Sequence, residues 1–205
     1  MTNQLMGIIY MKDIRVRKWY DIFYTLKLFH NKIYYVPHYL KIQGEDVAIT
    51  KLIRDIWIDK LSKYKKGWNK SIYCIYGELS SIDTIKYALD NEINVNVIFG
   101  NQIASHNKKE IMSLKNEYGN NLRIYSYKYN SPNGDRPQYH STLIGRNLFF
   151  ESYHEIRDKY KNAKIIEYAD KATINEYKRI FENYQNESTE LTSNEISTMN
   201  EITLN

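Results

Sequence analysis

Between Ser71 and Tyr184, short β-prone runs alternate with helix-length apolar stripes, and glycine or asparagine closes most of them. Ser71 to Tyr76 reads as a strand ending at Gly77, and Ser80 or Ser81 is placed to cap a helix reaching about Asn91. Asn94 to Phe99 is a second, β-branched strand closed by Gly100. Ser105 is placed to cap a helix that Gly119 stops, and Leu122 to Tyr129 follows as a third strand. Tyr139 to Ile144 and Leu148 to Phe150 read as a hairpin across Gly145-Arg146-Asn147, and Lys161 to Glu167 as one more strand. Asp170 opens a last helix to about Tyr184. Strands separated by helices of this length predict an α/β sandwich, a mixed β-sheet flanked by helices on both faces.

The flanks are read differently. Ile8 to Tyr10, Ile14 to Val16 and Ile33 to Val36 are short β-prone runs. From Asp46 to about Lys63, apolar residues recur at three- and four-residue steps through Ile53, Ile56, Trp57 and Leu61, which predicts an amphipathic helix. No linker-like stretch isolates residues 1–70, so they are expected to add strands and a helix to the domain formed by 71–185. Residues 186–205 are rich in Ser, Thr, Asn and Glu without a sustained period, and are expected to be a disordered tail.

With 205 residues and 42% hydrophobic content, the chain can bury a core without staples. Its single cysteine, Cys74, excludes an intrachain disulfide framework and a cysteine-rich zinc site. It lies in an apolar run and reads as a small core residue. No run is apolar enough to span a bilayer, and the N-terminus lacks the pattern of a secretion signal; an intracellular, cytoplasmic protein is expected. The net charge of +5 gives mild attraction for phosphates, although a lysine-rich solvated surface accounts for it equally well.

Groups able to do chemistry crowd together only between Arg136 and His154. His140 opens the fourth strand, and Glu151 and His154 follow the hairpin's far strand. An imidazole there can act as nucleophile, general base or phosphate donor; a backbone-bonded strand-end histidine is the plainer reading. Glu151 and His154 can join it in a carboxylate–imidazole cluster. A zinc or iron site is conceivable from such groups, but three ligands at loose spacing favour a metal-free reading, and no cofactor is expected. His30, His38 and His106 stand alone. The tyrosines from Tyr125 to Tyr129, interleaved with a lysine, can stack bases, but more often such residues are half-buried strand faces.

Tyr73-Cys74-Ile75-Tyr76-Gly77-Glu78-Leu79 before a capped helix, Asn94 to Gly100, Leu122 to Tyr129, and then Tyr139-His140-Ser141-Thr142 follow one another in an order that resembles one half of the phospholipase D-like superfamily. That family opens its active-site strand with His-x-Lys, followed by an Asp and then small polar residues. The resemblance implies a phospholipase D-like sandwich in which the histidine attacks phosphorus, the lysine balances charge on the phosphoryl oxygens, and a second histidine protonates the leaving oxygen. Single-motif members assemble the pair as homodimers. Position by position, His140 matches the nucleophile, Thr142 stands at the lysine, Asn147 at the aspartate, and His154 and Glu155 at the Gly-Ser pair.

Threonine cannot supply the charge that stabilises a pentavalent phosphoryl centre. The resemblance therefore implies a divergent domain that binds a phosphate-bearing ligand such as nucleic acid through His140, Arg136, Thr142 and Asn147, with weak or no phosphodiesterase activity. Arg136 is a candidate replacement for the missing charge. Two alternatives stay open. One is an active homodimeric phosphodiesterase or nuclease with His140 as nucleophile. The other is a non-catalytic structural or regulatory interaction protein.

Overall fold

The computed structural model describes residues 33–37, 39–42, 45–63, 70–79, 82–130, 135–137, 139–151 and 162–202. The first two β-prone runs, the caps expected at Ser80 or Ser81, and His30, His38, His154 and Glu155 lie outside them. An eight-stranded mixed sheet forms the centre, in the order β1-β10-β9-β8-β4-β5-β7-β11. Its strands are β1 (Ile33–Pro37), β4 (Ser71–Ile75), β5 (Asn94–Phe99), β7 (Leu122–Tyr127), β8 (His140–Ile144), β9 (Asn147–Glu151), β10 (Asn162–Ile166) and β11 (Ser188–Glu190). β4, β5 and β7 run parallel, while β8, β9, β10 and β1 form an antiparallel series on one side. β11 closes the other edge antiparallel to β7.

Alternation along each strand supplies two apolar faces. On one face, Cys74, Val95, Val97, Phe99, Ile124, Ile144 and Phe149 share a core with helices α1 (Ile49–Ser62), α2 (Ile82–Asp90) and α3 (Lys108–Tyr118). On the other, Ile75, Ile98, Tyr125, Leu143 and Leu148 pack on Tyr177 and Phe181 of α4 (Lys171–Asn186). The α/β architecture with helices on both faces is the one the sequence predicts. Tyr177 also ties α4 to the sheet: its hydroxyl donates to the Tyr73 carbonyl at 3.2 Å and accepts from Ser141 Oγ at 3.2 Å.

Among the described residues before Ser71, β1 pairs with β10, and Ile53, Trp57 and Leu61 of α1 join the larger core. Two boundaries differ from the sequence reading. Glu45–Ala48 (β3) pairs antiparallel with Tyr39–Ile42 (β2), so α1 begins at Ile49 rather than Asp46. Ser105 enters a 3-10 turn over Ser105–Asn107 ahead of α3 and does not cap it. Asp170 does cap α4, its carboxylate accepting from Thr173 N at 2.7 Å.

The expected disordered tail is corrected. After β11, α5 (Ser193–Thr198) packs on α3, and β12 (Asn200–Ile202) pairs parallel with β6 (Gln102–Ala104). Leu191, Ile196 and Met199 are buried in the larger core. Three apolar side chains, spaced too widely to show a period, suffice once β7 offers an open edge and α3 an apolar flank. Arg123 adds a two-pronged contact to Glu190, with nitrogen–oxygen distances of 2.7 and 3.3 Å.

Candidate functional site

The carboxyl ends of β4, β5 and β7 lie at one end of the sheet, where open α/β sheets place their ligand crevices. β8 runs against β4 with Ile75 opposite Ser141, so His140 enters the sheet at this same end, beside Tyr76. The site is thus made by topology: parallel strands end where the antiparallel β8 begins.

Here the chain passes very close to itself. Gly100 N donates to the Gly77 carbonyl at 2.9 Å, and a Cβ on Gly100 would stand 2.5 Å from that oxygen. Only glycine fits, so the turns after β4 and β5 are held together. Glu78 and Asn101, the residues just past these glycines, are both buried polar groups. The Arg136 side chain crosses the junction. Its guanidinium lies 3.5 Å from the Glu78 carboxylate and donates to Gln102 Oε1 at 2.9 Å. Arg136 is thereby tethered to both turns, and its charge faces a carboxylate.

His140 is 8% exposed, and its ring packs on Tyr76 with centroids 4.9 Å apart and planes tilted by 55°. Thr142, two residues on, shares that face. Its hydroxyl pairs with the Tyr76 hydroxyl at 3.2 Å, and both residues are almost fully buried. One phenol therefore spans the two positions where the family resemblance asks for histidine and lysine. Burial holds the Tyr76 hydroxyl well above the usual phenol range and pushes the Cys74 thiol up, so both are neutral.

A cation does stand near this row, but it comes from a helix. Arg54 of α1 is 4% exposed and lies over the Phe149 ring at 5.0 Å. Phe149, Thr142 and Cys74 are register partners across β9, β8 and β4, and the guanidinium charge acts on the Cys74 thiol and the Tyr76 hydroxyl in the stabilising direction for their anions. The sequence reading missed Arg54, Tyr76, Glu78 and Asn101. Arg54 carried a signal: it stands three and four residues before Trp57 and Ile58, on the buried stripe of α1. Tyr76 and Glu78 flank Gly77 just after a strand, a usual place for site residues.

The remaining candidates separate. Glu151 is the direct register partner of His140 across the β8–β9 ladder. Asn147 is not brought to His140. It pairs with Ile144 at the turn end of the hairpin, about 13 Å away at roughly 3.3 Å per residue. Its amide oxygen accepts from Tyr168 N at 3.2 Å, a role in chain geometry. Arg146 is likewise turned to the backbone, donating to the Ala169 carbonyl at 3.1 and 3.2 Å.

No family model matches the sequence, and no curated protein is similar to it. Solved structures do resemble it. TrmBL2, an archaeal chromatin protein whose structure shows a novel mode of DNA binding, is 12% identical with a TM-score of 0.52; the match covers 92% of this chain and spans 60% of that one. NucT from Helicobacter pylori is 13% identical, with a TM-score of 0.47 over 78% of this chain and 99% of that one. Nuc from Salmonella typhimurium, a phospholipase D family member, is 10% identical, with a TM-score of 0.48 and the same coverage. The likeness to solved structures is one of fold alone: in this chain helices lie on both faces of a mixed sheet, and His140 opens β8 beside the central parallel strands.

Proposed function

We propose that this protein is a divergent phospholipase D-like module that binds nucleic acid at the His140 end of its sheet and hydrolyses phosphodiesters very slowly or not at all. The observation that carries the reading is Thr142: where the motif's lysine would stand, a buried hydroxyl is bonded to Tyr76. Losing one transition-state stabiliser typically costs ~100- to 1,000-fold in rate. Arg136 does not restore the charge cheaply, because it faces Glu78. His140, with Glu151 as its ladder partner, His154 from beyond the described residues and Arg136 at the mouth, is assigned the ligand contact. The basic balance of the chain and the likeness in fold to a DNA-binding chromatin protein support a nucleic-acid ligand. Catalysis by a homodimer, with His140 supplied twice, is the alternative that the same experiment examines.

The test is titration of the purified protein with labelled DNA and RNA at rising salt, beside an assay with bis-nitrophenyl phosphate. The expected result is salt-sensitive binding and turnover near background. Robust hydrolysis abolished by His140→Ala would replace this reading with the homodimeric phosphodiesterase. Absence of binding at low salt would leave a structural or regulatory interaction protein.

A further inference from the structure

On the α4 side of the same sheet end lies an open groove of about 500 Å³, lined by Tyr127, Lys128, Arg136, Tyr139, Ile180 and Tyr184 among others. Its wall is aromatic. Tyr184 of α4 stands between Tyr127 and Tyr139, with edge-to-face centroid distances of 5.1 and 6.2 Å. Tyr139 is 42% exposed, although it immediately precedes the buried His140. The two neighbours face opposite ways: the His140 ring packs on Tyr76, and the Tyr139 ring turns to Tyr184. Arg136 joins the two places, lining the groove while its guanidinium reaches Glu78 beyond β4.

The rim charges offset one another. Lys128 lies 3.6 Å from Asp135, and Glu187 faces the same opening as Arg136. A groove with balanced charge and tyrosine walls does not select a bare polyanion. It suits a flat, polar-edged ring that stacks on tyrosine and hydrogen-bonds at its margin. In a duplex the base faces are already stacked on one another; only an unpaired base offers its face to a side chain.

We infer that this groove is a base-stacking platform for single-stranded nucleic acid, with an unpaired base on Tyr139 and Tyr184 and the adjoining backbone passing Arg136 toward His140. The inference rests on the nucleic-acid reading above and narrows it to unpaired strands.

The experiment compares wild type, Tyr139→Ala, Tyr139→Phe and Tyr184→Phe for binding of a labelled oligothymidylate and a duplex of equal length, at several salt concentrations. Stacking of one base is expected to make Tyr139→Ala bind the single strand roughly ten-fold or more weakly. Tyr139→Phe and Tyr184→Phe keep a ring and should retain most of the affinity. The slope of log affinity against log salt should not change in Tyr139→Ala, because no phosphate contact is removed. Wild-type binding that Tyr139→Ala leaves unchanged, or weakens equally for strand and duplex, overturns the platform while the nucleic-acid reading survives. A wild type that binds neither probe at low salt overturns both. Tyr139 is a surface residue, so loss of fold is not expected, and the Phe variant controls for it.

Discussion

The β8–β9 hairpin has two ends, and they use the same kinds of residues for opposite purposes. At the turn end, Arg146 and Asn147 spend their polar groups on the backbone around Tyr168 and Ala169, and Ala169 N returns a bond to the Arg146 carbonyl at 2.8 Å. A smaller cleft there, of about 200 Å³, lies between Trp57, Leu61 and Tyr168. At the open end, Glu78 and Arg136 come from separate stretches of chain and meet side chain to side chain, and His140 packs on Tyr76. A motif's linear spacing therefore does not decide which residues converge. His140 and Asn147 are seven positions apart, as the resemblance asks, yet the strand carries them to opposite ends.

The largest effect that bears on this contrast is expected from Thr142→Lys. Position 142 is 1% exposed, its hydroxyl is matched to Tyr76, and the Arg54 cation is close enough to act on the same phenol. An ammonium placed there lacks water and meets like charge. The expected loss is about 3–5 kcal/mol of folding stability, the usual cost of an uncompensated buried charge, with no gain in phosphodiester hydrolysis. Urea denaturation and the bis-nitrophenyl phosphate assay would check this. A variant with wild-type stability and new hydrolysis would mean that the open end still accepts the motif's cation.

The two ends also differ in what their glycines do. Gly100 avoids a contact, since an added Cβ would meet the Gly77 carbonyl at 2.5 Å. Gly145 provides a conformation: φ is +60°, and a Cβ there would meet only Leu61 Cδ1 at 3.6 Å. Gly100→Ala should cost about 2–3 kcal/mol, in the range of overpacking, and should weaken ligand binding by displacing Arg136, whose Cγ lies 3.3 Å from the added atom. Gly145→Ala should cost about 1–2 kcal/mol, the left-handed penalty alone, with affinity intact. Equal losses of affinity in the two variants would remove the distinction between the ends.

Much of the frame was legible because its punctuation is chemical. Gly100, Gly119 and the Asp170 cap mark boundaries that the fold respects. The closing segment was not legible, because Leu191, Ile196 and Met199 show no period and acquire their burial from distant elements. One local signal was present: Thr192 and Glu195 form a reciprocal capping box at the start of α5. At the site, His140 could be read from its place at a strand opening. Arg54 and Tyr76 left only general signals, a polar residue on a buried stripe and a residue beside a strand-closing glycine, because the grouping of Arg54 with Phe149 and of Tyr76 with Thr142 is made across helix and sheet, and a spacing rule sees only neighbours along the chain. The preference for a half-buried strand face in the Tyr125 to Tyr129 run holds for Tyr127, a half-buried residue of β7. Tyr125 is buried, while Tyr127 lines the groove.

The smallest effect is expected from Asn147→Ala, set against His140→Ala. The Asn147 side chain accepts a hydrogen bond of 3.2 Å from the backbone N–H of Tyr168, a residue held at φ +52°. Removing it should lower stability by about 1 kcal/mol, the net worth of a typical intramolecular hydrogen bond, and should leave nucleic-acid affinity unchanged. His140→Ala removes the imidazole from the open end and should weaken binding several-fold at low salt. The comparison needs both readouts on both proteins, because the buried His140 ring also packs on Tyr76 and its loss will lower stability too. What separates the residues is affinity measured well below either variant's unfolding temperature. If Asn147→Ala weakens binding as much as His140→Ala does, the ligand reaches along the whole hairpin and the turn-end cleft belongs to the site.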